Sequence, residues 1–207
     1  MRRMEHPFQI ADASEGISDA GGILPVSDAP GSTPQKHNSI DASEIADPRK
    51  QPVKVLDDHG LEVLDQLGNP MQRPKDMPPS LFVDRGLAAA AALQNTPPDT
   101  SIDQITLDHI QFRQGGALDA QRVNGVVVDQ YVDYATVGIG LYSAAAGVPL
   151  EQTLATENTY AALVHSRYIH GEEMDDTYTF LPKRNVGNTK IGYDLYNSGR
   201  IGPSQRQ

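Results

Sequence analysis

The chain has 207 residues, no cysteine and a formal net charge of −10. The missing thiols exclude disulfides, cysteine nucleophiles and Cys-ligated zinc or iron–sulfur sites, and the acidic balance disfavours nucleic-acid binding, which relies on Lys and Arg neutralising phosphates. Twelve of the fifteen prolines precede residue 99, aromatics make up 6% of the chain and mean hydropathy is −0.45; a single core of roughly 100–130 residues behind an extended leader fits that asymmetry.

The first residues, "MRRMEHPFQIADASEG", begin with positive charge but lack the apolar run of a signal peptide, so Sec-type export is not expected. Residues 1–54 are rich in Asp, Ser, Gly, Pro and Ala and offer little to bury, which predicts an extended or disordered leader. Within it, "ILPV" at 23–26 could anchor onto a protein partner or onto the chain's own domain. In residues 55–79, "VLDDHGLE" is followed directly by "VLDQLGNP", an eight-residue duplication with Val, Leu, Asp and Gly in register. Asp first and Gly fourth is a type I turn pattern, so the stretch predicts two short strands and turns in a β-ribbon. Asp57, Asp58 and Asp65 lack the alternate carboxylates and terminal Glu of a calcium loop. "MQRPKDMPP" then reads as a rigid spacer.

The folded domain is expected to span residues 80–207. "SLFVDRGLAAAAALQN" predicts a helix with Ser80 as N-cap. "DTSIDQITLDHIQF" spaces its apolar residues by both two and three, leaving helix and strand open. After the Gly-rich loop "RQGGALDAQRVNG", "VVVDQYVDYATVGIGLYSAAAG" predicts one long helix ended by Gly147. Its apolar run covers only about residues 135–150, short of the about 20 residues a bilayer needs, and Asp133, Pro149 and Glu151 flank it. Small residues nearly all round mark it instead as a central helix, with Gly138 and Gly140 letting neighbours approach. "PLEQTLATENTYAALVHSRY" predicts a neighbouring helix. "NTKIGYDLYNSG" predicts another, with Asn188 or Thr189 as cap and Gly199 as stop. The loop between them carries "YTFL" as a short extended piece. The fold class is thus mainly α: a small helical domain with a short β-ribbon, preceded by the leader.

Chemistry concentrates at the start of the central helix. Asp119 sits on the Gly-rich loop, a usual place for function, and Asp129 and Asp133 are i,i+4 on the expected helix, so their carboxylates could share a face and divide acid and base roles. The plainer reading is that both acids favour the helix dipole. "HSRYIHGEEMDD" gathers His165, His170, Glu172, Glu173, Asp175 and Asp176, but the two histidines are five apart, unlike the i,i+4 metal pattern, and a solvated loop fits better. Arg2-Arg3 and Lys183-Arg184 read as solvated surface. No GxSxG, Walker, GxGxxG, HExxH or CxxC pattern is present, and no metal or cofactor is expected.

In order, "FRQGGALDAQR", "YVDYATVGIGLYSAAAGVP" and "NTKIGYDLYNSG" resemble the bacterial toxin 44 domain (polymorphic toxin type 44) found at the C-terminal tips of secreted toxins. The resemblance covers about residues 110–200 and rests on Gly115, Gly116, Asp119, Gly140 and Gly147. Gln121 stands where the family has Lys, and Ala135-Thr136 where it has Gly-Asn, so a kept fold with changed or lost chemistry is compatible with it. It implies a toxin role without naming a reaction.

Two functions follow as expectations. The first is an exported bacterial effector, a hydrolase of unknown substrate delivered by a specialised system, with Asp119 as acid or base. Asp133 and Tyr134 would line the site, His165 would assist, and Gly115, Gly116, Arg122 and Asp129 would bind substrate. The second is a structural or accessory protein of a phage particle or secretion apparatus, cytoplasmic or particle-associated, whose N-terminal arm wraps a neighbour. Either way the leader meets a protein partner: an immunity, chaperone, secretion or virion component.

Overall fold

The computed structural model describes residues 39–94, 111–113, 115–163 and 173–204. The leader to residue 38 with its "ILPV", the helix-or-strand segment 95–110, and 164–172 with His165, His170 and Glu172 lie outside the described residues. In chain order the elements are β1 (Ser39–Ile40), β2 (Pro52–Lys54), β3 (Gln72–Pro74), α1 (Pro79–Gln94), β4 (Arg122–Val123), β5 (Val126–Val128), α2 (Val132–Ala146), α3 (Leu150–Leu163) and α4 (Lys183–Asn197). Single 3-10 turns occupy Ala42–Glu44 and Asp129–Tyr131. Helices carry the mass of the fold, as expected, and each strand is two or three residues long.

Helix α2 is the axis of the domain. Tyr134, Val137, Leu141 and Tyr142 on it are fully buried, with Phe82 and Val83 of α1 and Leu195 of α4 in the same core. Glycines set the spacing. A Cβ at Gly140 would stand 2.8 Å from the Tyr193 amide nitrogen, and one at Gly192 would stand 2.9 Å from the Val137 carbonyl carbon. The two glycines are therefore reciprocal, each admitting the other helix's backbone, and α2 and α4 cross closer than side chains would allow. The helix ends at Gly147, whose φ of 75° is left-handed, while Val148 N–H donates to Ser143 O at 2.9 Å.

The duplicated stretch folds as two copies of one turn. Asp57 Oδ1 accepts from His59 N (3.0 Å) and Leu61 N (2.9 Å); Asp65 Oδ1 accepts from Leu67 N and Asn69 N, both at 2.8 Å. The carboxylates are turn anchors, in line with the turn reading. Residues eight apart close a ring of backbone bonds: Val63 N to Val55 O (2.9 Å), Met71 N to Val63 O (3.0 Å) and Val55 N to Met71 O (3.0 Å). All three side chains are buried in the main core. The ribbon itself lies at the flanks, where β2 pairs antiparallel with β3.

Several boundaries differ from expectation. The leader ends earlier: β1 pairs in parallel with β5, and Ala42, Ile45, Val123, Val128 and Tyr131 form a small second core. Backbone pairing recruits this polar segment, and composition does not register backbone pairing. "MQRPKDMPP" supplies a strand rather than a spacer, and α1 starts at Pro79, so Ser80 lies inside the helix and not at its cap. Val126–Val128 is a strand, since β-branched residues suit a pleated edge, and α2 begins only at Val132. "YTFL" is a turn closed by Asp175, whose Oδ1 accepts from Thr177 N and Tyr178 N, both at 2.9 Å. Helix α4 begins five residues before Asn188, which with Thr189 is buried mid-helix. No helix among the described residues is long and apolar enough to cross a membrane.

Candidate functional site

Asp119 closes the Gly-rich loop on itself. Its Oδ2 accepts from Gly115 N at 2.7 Å and from Arg122 Nη1 at 3.0 Å, and its side chain is 2% exposed. The other oxygen, Oδ1, is buried without a partner among the described residues. Gly116 N donates to Arg113 O at 2.8 Å within the same loop. Gly115, Gly116, Asp119 and Arg122 therefore come together, but around each other. The carboxylate itself is closed off, its side chain 2% exposed, while Gly115 is at the surface.

The remaining expected residues go to different places. Asp129 is exposed and accepts from the Ser39 hydroxyl at 3.1 Å, so it secures β1. It starts the 3-10 turn and Asp133 starts α2, so the expected shared face is absent: the two carboxylates have separate partners. Tyr134 does not line a site. It is fully buried, its ring meets Phe82 edge-on, and its hydroxyl donates to Met77 O at 2.5 Å; burial pushes its ionisation far above the ordinary range. His165 lies outside the described residues.

Asp133 belongs instead to a polar seam on α4. Arg184 grips it bidentately, Nε to Oδ1 at 2.5 Å and Nη2 to Oδ2 at 2.7 Å, and Asn188 Nδ2 donates to Oδ1 at 2.5 Å. The next residue, Thr189, turns its hydroxyl toward α3, 3.0 and 3.1 Å from the two carboxyl oxygens of Glu157. Desolvation pushes Glu157 up to about 8, outweighing the Thr189 hydrogen bond that lowers it. One acid is thus the anion of an ion pair, and the other is kept neutral at pH 7 by burial. Asn188 and Thr189 join them from neighbouring positions of one helix.

A carboxyl that stays protonated near neutral pH can serve as a proton donor. Glu157 is half-buried and holds a proton it can give, while Arg184, about one-third exposed, is the partner of Asp133. Sequence reasoning missed Glu157, which sits on a surface-type helix among Thr and Asn, and took Arg184 for solvated surface. The expectation of Asn188 or Thr189 as the cap rests on the preference of such residues for helix ends. The available signal was continuity: helical spacing runs back through Val186 into "KRN". No group of three or more His, Asp or Glu among the described residues is placed to hold a metal ion.

Compared with family models, curated proteins and solved structures, the chain matches none.

Proposed function

We propose that the folded unit is a toxin-like bacterial effector domain acting as a hydrolase, with Glu157 as its general acid. The observation that supports this reading is the seam of Glu157, Thr189, Asn188, Asp133 and Arg184 in a helix interface. Apolar side chains would fill that interface at lower desolvation cost. A carboxyl that burial keeps protonated at pH 7 is equipped to protonate a leaving group. Asp133, with both oxygens engaged, orients Arg184. The resemblance to bacterial toxin 44 agrees in kind, although the acid moves from the loop Asp119 to α3.

The test is expression of the full chain in bacterial cytoplasm and, with an added export signal, in periplasm. A fragment starting at residue 80 would lack the two turns that complete the core. Growth inhibition by the wild type that Glu157→Gln abolishes is the expected result. Inhibition undiminished in Glu157→Gln removes Glu157 from the mechanism. A folded wild type harmless in both compartments removes the effector reading.

One feature favours the second function, an accessory protein of a phage particle or secretion apparatus. Leu56, Leu61, Leu64 and Leu67 are 44–74% exposed on the paired turns. Apolar groups gathered on one element are what a protein partner covers.

A further inference from the structure

The two copies of the duplicated turn share their internal bonds but not the residue after the anchor, and that residue reaches the segment following α4 in one copy and α4 itself in the other. In the first copy it is Asp58. Its N–H donates to Arg200 O at 2.8 Å and its Oδ2 accepts from Gly202 N at 2.8 Å, just beyond the C-terminal end of the helix. In the second copy it is Gln66, at the opposite end. Its side-chain amide faces Lys183 O and Arg184 N, and the orientation that satisfies both has the amide nitrogen donating to Lys183 O at 3.1 Å and the oxygen accepting from Arg184 N at 3.0 Å. Its own N–H donates to Asn188 Oδ1 at 3.3 Å. The duplication is a two-pronged clamp on α4 and the segment that follows it.

The second prong has a consequence for the seam. Because Asn188 Oδ1 takes the Gln66 N–H, the Asn188 amide is oriented with Nδ2 toward Asp133. Because the Gln66 amide holds Arg184 N–H, the backbone from which the guanidinium extends is fixed as well. Gly187 makes room for this: a Cβ there would stand 3.0 Å from Gln66 Cδ and 3.2 Å from its Cβ. Gln66 therefore contacts, through side chain or backbone, both partners of Asp133.

We infer that Gln66 is a positioning residue for the Asp133–Arg184–Asn188 cluster, the second turn being the device that holds the candidate site in register. This deepens the effector reading and rests on it for its link to activity. The orientation itself is measured separately, through the exchange of the Arg184 Nε–H, which is protected while it donates to Asp133. In the full chain, Gln66→Ala and Gly187→Ala, which displaces the amide without altering it, are expected to speed that exchange by about tenfold or more, roughly the factor of a single lost hydrogen bond. Gln66→Glu, which keeps an acceptor for Arg184 N–H, is expected to retain most of the protection. Asp58→Ala releases the other prong and is expected to leave it unchanged. Growth inhibition should follow the same order.

Protection retained in Gln66→Ala, or lost equally in Asp58→Ala, overturns the inference. Should Gln66→Ala be unfolded, the same two criteria apply to Gly187→Ala. If exchange responds as expected while Glu157→Gln stays fully toxic, positioning stands and the acid assignment falls.

Discussion

Glu157 ties stability to pH. In the unfolded chain its carboxyl ionises near 4.5, and in the fold it does so at about 8. Between those values the folded state holds a proton that the unfolded state has released, so stability falls as pH rises through the window. Below 4.5 both states are protonated and no penalty exists. A displacement of that size corresponds to about 5 kcal/mol at 1.36 kcal/mol per pH unit, and water reaching a half-buried carboxyl screens it to about 2–3 kcal/mol. Glu157→Gln mimics the protonated acid and still offers Thr189 an acceptor, so it should match the wild type near pH 4.5. It should exceed it by about 5–10 °C in melting temperature above pH 8, at 2–4 °C per kcal/mol for a domain of this size. Thermal melts of both proteins at pH 4.5, 7 and 9 measure this directly. A gap that does not change with pH, or a wild type that gains on the variant as pH rises, refutes the reasoning and with it the neutral acid at pH 7.

Gly192→Ala places a methyl against the Val137 backbone. Because backbone cannot rotate away, it should cost about 3 kcal/mol, seen as a fall of about 6–12 °C in melting temperature; an unchanged melt would mean that α2 and α4 are not in close contact. The two turn anchors should differ, since Asp65 serves its own turn while Asp57 also accepts from Arg200 Nε at 2.8 Å through a side chain closed to solvent. Asp57→Ala should therefore lower the melting temperature by several degrees more than Asp65→Ala, and equal losses would show that the Arg200 bond contributes nothing.

The helical core was legible because its signals are local. The stop at Gly147 and the Asp-x-x-Gly duplication act through neighbouring backbone, so the sequence order contains them, and the run of small residues in "VGIGLYSAAAG" shows that something packs close without saying what. Position along the chain misleads where the partner is distant. Asp129 and Asp133 are four apart, yet one answers Ser39, 90 residues back, and the other Arg184, 51 residues on. Asn188 and Thr189 were misplaced for the same reason, as their hydroxyl and amide serve α3 and α2 rather than their own helix end. Glu157 had no signal of its own, because a raised carboxyl is a property of what surrounds it. The edge of the leader failed differently: Ser39–Lys54 joins the fold largely through backbone pairing, which is indifferent to the side chains by which composition judges a segment.

The first prong of the clamp spans 143 residues from Asp57 to Arg200 and 144 from Asp58 to Gly202. Such separations order events in time. A chain leaving a ribosome N-terminus first presents Asp57 long before its counter-ion, and at about 5–20 residues per second the wait is about 7–30 s. Until then Asp57 has no arginine and the first turn does not hold the segment that follows α4. The first prong therefore closes only after Arg200 and Gly202 have been made.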